Sequence, residues 1–370
     1  MFPYLGKHRE GEIVELGKSQ EDNGIKSVNL SSSTSTYSVN ATSSKQISEI
    51  IPIPISSFGG VLSIPKSETL SMGEPVEIRI PVPWGHISAK TWGSSSGKPV
   101  LGVHGWMDNA GSFDKLIPKL SNTLYVVAVD LPGHGRSSHI PQGIPCHYFD
   151  FVLSLRRIVN HFKWSRFAWL GHSMGAGLGA YYASLFPAQV ERLVMLDLVK
   201  GITADTNEDL ADKVAASIDS FLGTEGKITP EPPTYSYEDA LHRQIAATAG
   251  SLTEEAAKTL LIRGTRRVSE ERWAFSRDLR LRSPSIQRIS HEQAFALLNN
   301  IKCHNLLIKA SKAPFFEQKD ICDKVLGIYK EKCASFQYVE VDSDHFVHLT
   351  EPEKIADMVN KFLTEPRAGL

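Results

Sequence analysis

From about Glu77 onward, short apolar runs alternate with longer segments whose apolar residues recur at helical spacing. Eight of these runs predict strands: 76–82, 86–92, 99–104, 125–130, 166–171, 192–197, 305–310 and 336–341. The first two flank a Pro-Trp-Gly turn, which is typical of a hairpin, and the later ones are almost continuously apolar, as in strands buried on both faces. Because strands and helices alternate, the pattern predicts an α/β fold with a mostly parallel sheet and helices on both faces.

Two regions break this alternation. Residues 201–299 hold no strong strand and several amphipathic segments, so we expect a helical lid inserted into a core formed by residues 75–200 and 300–370. The run Ser27–Lys45 is mostly Ser, Thr and Asn, and such a segment cannot bury enough apolar surface to offset its conformational entropy. We therefore expect residues 1–70 to be a disordered tail.

A serine lies between glycines where the fifth predicted strand meets a helix. Residues 171–175 are Gly-His-Ser-Met-Gly, a G-x-S-x-G motif, and in this strand–helix context it predicts a nucleophile elbow that exposes Ser173. The free N–H groups at the start of the helix favour negative charge that develops on a reacting oxygen. The alternative is a glycine-rich turn that binds a phosphate or dinucleotide, but the spacing fits neither G-x-G-x-x-G nor G-x-x-x-x-G-K-S/T.

The third predicted strand ends at His104, which Gly105 and Trp106 follow. A His-Gly pair there lets the backbone turn, so that the N–H of Trp106 faces the nucleophile and forms an oxyanion hole together with the N–H of Met174. The alternative is an ordinary turn at a strand end. The loop D-L-P-G-H-G-R-S after the fourth strand precedes the nucleophile, and we expect Asp130 and His134 in it to be structural.

A general base for Ser173 is expected close to the carboxyl ends of the strands. His345 follows the last predicted strand by a short loop, and histidine titrates near neutral pH. His348 lies three residues further on, and His-x-x-His can be a metal pair. No third ligand accompanies it at a recognisable spacing, so we interpret His348 as a packed neighbour and predict neither a metal nor another cofactor.

These four motifs resemble the α/β-hydrolase superfamily over roughly residues 77–366. Four longer stretches look like the serine hydrolase-like family that includes the insect kraken protein: IPVPWGHISAKTWG, LGVHGWMDNAGSFDKLIPKL, SRDLRL and YVEVDSDHFVHLTEPE. The resemblance implies an α/β-hydrolase fold, Ser173 as nucleophile and His345 as base. It implies little about the substrate.

The acid that should support His345 is missing from its usual place. In the superfamily it usually follows the seventh strand in a segment like G-x-x-D, but here position 313 is alanine. We favour Asp197, at the end of the sixth strand, although a carboxylate there can also merely cap a loop. Glu317 is the second choice, and Asp320, another residue or a dyad without an acid stay open.

Composition limits the remaining possibilities. The 370 residues carry 40 Lys and Arg against 41 Asp and Glu, a net charge of −1, which does not favour nucleic acid as a partner. The four cysteines show no C-x-x-C pair, and no run of about eighteen apolar residues would span a membrane. No secretory or transit signal is recognisable, so we expect a cytoplasmic protein; the final Ala-Gly-Leu lacks the lysine of a peroxisomal S-K-L.

The segment Arg263–Ser283 contains seven arginines. It could form an anion-recognition surface on the lid, but such runs more often form a solvated face paired with their own acids, which we favour here.

Together, these features predict a serine hydrolase of carboxylic esters or thioesters, with a small-molecule substrate whose acyl or alcohol portion is apolar. Two alternatives use the same pocket. One is a non-catalytic member of the fold that binds a small ligand, suggested by the missing G-x-x-D acid, and the other is a C–C bond hydrolase. The sequence does not indicate an oligomeric state.

Overall fold

The structure is a computed structural model, which describes residues 72–204, 209–229, 231–248 and 250–366. The tail predicted for residues 1–70 lies outside the described residues. The strands are β1 (Val76–Val82), β2 (Gly85–Trp92), β3 (Lys98–Val103), β4 (Leu124–Val129), β5 (Phe167–His172), β6 (Val190–Leu196), β7 (Thr265–Ser269), β8 (Arg272–Phe275), β9 (His304–Ala310) and β10 (Ser335–Val341). The α-helices are α1 (Tyr148–His161), α2 (Met174–Leu185), α3 (Leu210–Glu225), α4 (Tyr237–Ala246), α5 (Glu254–Gly264), α6 (His291–Leu298), α7 (Lys319–Lys332), α8 (Val347–Thr350) and α9 (Ala356–Thr364).

Eight strands form one sheet in the order β1-β2-β4-β3-β5-β6-β9-β10. The hairpin β1–β2 and the pairing of β2 with β4 are antiparallel, and every other pairing in this sheet is parallel. All eight strands predicted from the apolar runs are present, each within two residues of its expected bounds. The α/β fold with a mostly parallel sheet is therefore confirmed.

Successive side chains of the central strands enter two different cores. Leu193 and Met195 of β6 pack with side chains of α1, α2 and α7 on one face. Val194 and Leu196 pack with side chains of α9 on the other face. Because neighbouring residues of a strand point to opposite faces, a continuously apolar run is what a strand covered on both faces requires.

The segment between β6 and β9 contains α3, α4, α5 and α6, and also the hairpin β7–β8. The sequence shows no strong strand in this insertion, but residues 265–275 form two short strands that were not predicted. Strand β7 has the sequence Thr-Arg-Arg-Val-Ser and is largely exposed, so it lacks the apolar alternation by which a half-buried strand is recognised. The hairpin is held instead by contacts of Trp273 in β8, which bridges to Tyr235 and lies 5.6 Å from the Arg267 guanidinium.

Part of the inserted segment packs on the core near the predicted base. Leu241 of α4 and Leu260 of α5 share a buried cluster with Phe346 and Leu349, which follow His345. Helices α4 and α5 therefore lie against the loop that carries His345. In the described part of the chain, no helix is long and apolar enough to cross a lipid bilayer.

Helix α2 packs closely against the sheet and against the segment that follows β6, and its glycines make that approach possible. Every residue from Met174 to Ser184 is buried. A Cβ on Gly177 would lie 2.6 Å from the backbone nitrogen of Gly201, and one on Gly179 would lie 2.5 Å from the indole nitrogen of Trp169. This packing compensates for the cost of mid-helix glycine, about 1 kcal/mol each relative to alanine.

We expect Gly175→Ala to destabilise the fold by at least about 2 kcal/mol, because a Cβ there overlaps the backbone carbonyl oxygen of Val103, which cannot rotate away. The measurement is the urea midpoint of unfolding followed by circular dichroism. Gly327→Ala is the matched control, since that exposed position in α7 has no atom within 4 Å of the added methyl group. Equal midpoints for the two variants would contradict the steric argument.

Candidate active site

Ser173 occupies a sharp turn between β5 and α2. Its φ of +49° and ψ of −118° are rarely adopted by non-glycine residues. The turn is bounded by Gly171 and Gly175, where an added Cβ would overlap the backbone of Gly175 and Val103, respectively. The G-x-S-x-G spacing therefore has a steric origin, because neither flanking position has room for a side chain.

The two N–H groups predicted for an oxyanion hole lie at adjacent strand ends. Met174 is the first residue of α2, so its N–H has no intrahelical acceptor. Trp106 follows the end of β3, which pairs with β5 in the sheet. The Trp106 indole donates to the carbonyl of Leu281 at 2.9 Å, which turns its side chain toward the inserted segment.

Asp197 and His345 are joined by a short hydrogen bond. His345 Nδ1 lies 2.6 Å from Asp197 Oδ2, across 148 residues of sequence. The other carboxylate oxygen accepts from the ammonium of Lys309 and the backbone N–H of Ala310, each at 2.8 Å. Asp197 itself has a φ of +55° and is almost fully buried. The carboxylate thus has a partner on each oxygen, and one of them is the predicted base.

The other carboxylates considered from the sequence are used elsewhere. Glu317 accepts from the buried ammonium of Lys200 at 2.5 Å and from the backbone N–H of Thr203 at 3.1 Å. Asp320 is exposed in the first turn of α7. Among these three carboxylates, only Asp197 is hydrogen-bonded to His345.

His345 lies beside the Ser173 turn in a setting that favours the neutral imidazole. His172, next to Ser173, donates from Nε2 to the backbone carbonyl of His345 at 3.0 Å, and the two rings are 4.6 Å apart. Burial lowers the pKa of His345, and the hydrogen bond to Asp197 opposes that effect. Because Nδ1 donates to Asp197, the neutral ring keeps Nε2 as the proton acceptor.

Behind the turn lies a buried polar network that sequence reasoning described only in part. His348 is fully buried and its Nε2 lies 2.8 Å from Ser112 Oγ, with its ring 4.1 Å from that of His172, so it is a packed neighbour as predicted. Asp108 Oδ2 lies 3.3 Å from His172 Nδ1 and from Ser112 Oγ. Among the residues that the structure describes, no three His, Cys, Asp or Glu side chains are grouped to hold a metal ion.

Asp130 and His134 lie in the loop after β4 and are structural, as expected. Asp130 accepts from the backbone of Ala110 at 2.8 Å and from Arg263 Nε of α5 at 2.8 Å. His134 is fully buried, and its ring lies 5.0 Å from that of His104. Asp130 thereby connects the core to the inserted segment.

Sequence reasoning missed Lys309. Its buried ammonium donates to Asp197 and also to the carbonyls of Ala310 and Ala313, at 2.6 and 2.8 Å. Ala313 is the position at which the superfamily usually has its acid, and here it supplies a carbonyl to the lysine. The available signal was the lone charge in the apolar strand His304–Ala310, because a buried ammonium requires an anionic partner.

Comparisons with known proteins agree with this architecture. The α/β-hydrolase fold family matches residues 98–352. A Drosophila melanogaster protein named "Probable serine hydrolase" is 37% identical over 291 residues, which cover 78% of this chain and 88% of the relative. The human serine hydrolase-like protein 2 is 38% identical over 309 residues, which cover 80% of this chain and 96% of the relative.

Solved structures show the same fold. A hypothetical protein from Pseudomonas aeruginosa superposes with a TM-score of 0.67 at 28% identity, covering 77% of this chain and 97% of the other. The thioesterase domain from the curacin biosynthetic pathway superposes with a TM-score of 0.64 at 21% identity, covering 78% and 99%. The matched family profile, the long similarities to serine hydrolase-like proteins and the fold together show that this chain belongs to the α/β-hydrolase superfamily, in its serine hydrolase-like family.

Proposed function

We propose that the protein is a serine hydrolase of carboxylic esters or thioesters. The observation that carries the proposal is the 2.6 Å hydrogen bond from His345 Nδ1 to Asp197, beside a serine held on a strained turn. A buried imidazole with an oriented Nε2 is the group that a serine needs to become a nucleophile. The relatives named "Probable serine hydrolase" and "Serine hydrolase-like protein 2" support the same class of reaction.

In the proposed first half-reaction, Ser173 Oγ attacks the carbonyl carbon while its proton passes to His345 Nε2. The carbonyl oxygen becomes an oxyanion, which the N–H groups of Met174 and Trp106 stabilise. The carbon–oxygen or carbon–sulfur bond to the leaving group then breaks, and His345 returns the proton to that group. An acyl-enzyme remains on Ser173.

In the second half-reaction, water attacks the acyl carbon and gives its proton to His345. The new oxyanion collapses, the bond to Ser173 Oγ breaks, and the hydroxyl regains its proton from His345. Asp197 stays ionised throughout, holds the imidazole in the productive tautomer and stabilises the transient imidazolium. The ammonium of Lys309 and the Ala310 N–H, which occupy Asp197 Oδ1, fix the orientation of that carboxylate.

Of the two alternatives, the non-catalytic ligand-binding protein is no longer favoured by the observation that suggested it. It was suggested by the missing acid after the seventh predicted strand, and Asp197 now offers a carboxylate in contact with His345. A C–C bond hydrolase would use the same residues, and comparing ester with β-diketone substrates separates the two reactions.

We expect Ser173→Ala to abolish the release of p-nitrophenol from a panel of p-nitrophenyl esters of increasing acyl length. A fluorophosphonate probe should label Ser173 in the folded wild-type protein and leave the variant unlabelled, because the probe reacts only with an activated hydroxyl. A folded wild-type protein that neither hydrolyses any ester nor takes up the probe would favour the ligand-binding alternative.

We expect Asp197→Asn to lower kcat by about 10⁴-fold, as when a triad aspartate is replaced by its amide. Lys309 and the Ala310 N–H require the amide oxygen on their side, so the amide N–H₂ faces His345 Nδ1. The imidazole must then accept at Nδ1 and carry its proton on Nε2, where it cannot act as a base. The measurement is kcat with the best ester from the panel.

The matched control for that variant is Glu317→Gln, which removes a nearby charge that contacts Lys200 rather than His345. Its kcat should stay within about threefold of wild type when circular dichroism shows a folded protein. A loss under tenfold in Asp197→Asn, or an equal loss in both variants, would exclude Asp197 as the acid.

We expect kcat/KM to fall as the pH drops through a single group with a pKa below about 6.5, the ordinary value for histidine. Burial lowers the pKa of His345, and the reaction requires the neutral ring, so activity is full above that pKa and is lost below it. The measurement is the pH profile of kcat/KM with a neutral ester. An inflection above pH 7 would show that this base does not limit the reaction.

A further inference from the structure

The arginine-rich segment from Arg263 to Ser283 is neither a uniform solvated face nor a uniform anion site. Arg263 of α5 is buried and paired with Asp130 and Glu77. Arg280 is buried, pairs with Asp278 and donates to backbone carbonyls of residues 140, 141 and 144. These two arginines attach the inserted segment to the core, so the expectation of a solvated face is wrong for them.

Arg277 differs from both of these arginines. Its Nη1 donates to the neutral amide of Gln244 at 3.0 Å, and its guanidinium lies over the ring of Phe275 at 4.1 Å. No carboxylate of the described residues lies within 4.0 Å of it. Burial and the nearby charge of Arg282 lower the pKa of Arg277 to about 10, which still leaves it protonated at neutral pH. Among the described residues, this cation between α4 and β8 therefore has no carboxylate at ion-pair distance.

The segment that carries Arg277 lies over the strand end predicted to form the oxyanion hole. The carbonyl of Leu281 accepts from the indole of Trp106 at 2.9 Å, and the N–H of Asp278 donates to the carbonyl of Gly133 at 2.8 Å. Arg277 also interacts electrostatically with Asp108, which follows Trp106 by two residues. Its guanidinium therefore lies close to the segment after β3 that carries Trp106 and Asp108.

Asp108 is not the ion-pair partner of Arg277. Its carboxylate is buried and is directed at His172 Nδ1 and Ser112 Oγ, each at 3.3 Å. A partly desolvated guanidinium is costly unless an anion approaches it, and its planar fork matches a carboxylate in geometry. Gln244 occupies only one of its donor nitrogens, which leaves further N–H groups for a ligand.

We infer that Arg277 binds a carboxylate carried by the substrate, so that the preferred esters or thioesters bear a negative charge on the acyl or leaving portion. The inference rests on the proposed hydrolase function and narrows the expected substrate from an ester or thioester with an apolar acyl or alcohol portion to one that also carries an acidic end. The carboxylate takes no part in bond making or breaking. It orients the substrate so that its carbonyl meets Ser173.

The test compares two esters that release the same p-nitrophenol. Mono-p-nitrophenyl glutarate carries a terminal carboxylate, and p-nitrophenyl pentanoate has an acyl chain of the same carbon number without a charge. We expect wild type to favour the glutarate ester in kcat/KM, and Arg277→Gln to lower the ratio of glutarate to pentanoate kcat/KM by at least about tenfold. Arg266→Gln, an exposed position of β7, removes the same charge and should leave both rate constants unchanged.

Arg277→Met serves if the glutamine variant does not fold, since it keeps an aliphatic stem over Phe275 and removes the charge. A ratio that stays within about threefold of wild type in a folded Arg277 variant overturns the inference and leaves the hydrolase proposal intact. Wild type that hydrolyses neither ester and leaves the fluorophosphonate unreacted overturns the hydrolase proposal, and the inference falls with it.

Discussion

The buried carboxylate of Asp197 is the group on which the geometry of the site depends. Burying a lone carboxylate costs several kcal/mol, and the fold avoids that cost by supplying the ammonium of Lys309, the N–H of Ala310 and Nδ1 of His345. These partners come from the end of β9 and from the loop after β10, the two strands that follow β6 in the sheet. Satisfying the buried charge and orienting the imidazole are therefore the same structural requirement.

The strained backbone conformation at Ser173 is stabilised by the packing of a helix and not by paired charges. A non-glycine residue at this φ and ψ costs about 1–3 kcal/mol, which the surrounding structure must offset. Here the offset comes from α2, a helix buried on all sides whose glycines allow it to approach the sheet. The hydroxyl is thus presented by a rigid element, which keeps its position defined before any substrate arrives.

The inserted segment combines attachment and recognition in one stretch of sequence. Arg263 pairs with the buried carboxylate of Asp130, and Arg280 donates to the backbone carbonyls of residues 140, 141 and 144, so both hold the segment on the core. A buried apolar cluster places α4 and α5 against the loop of His345. Arg277 belongs to the same run, but its guanidinium contacts the neutral amide of Gln244 and the ring of Phe275 instead of a carboxylate of the described residues. The contacts of each arginine therefore separate those that stabilise the fold from the one proposed to bind the substrate. The composition of the run does not reveal these contacts.

The order of strands and helices, the glycine-flanked serine and the late histidine follow from the sequence alone, because each depends on residues close together in the chain. The identity of the acid does not follow from the sequence alone. Asp197 and Glu317 both lie near strand ends, and the folded sheet brings Asp197 to His345. The hairpin β7–β8 was missed because its exposed polar residues carry no alternating pattern. The sequence thus determined the fold and the candidate nucleophile and base, whereas the tertiary structure decided which charges meet, because ion pairing depends on distance in space.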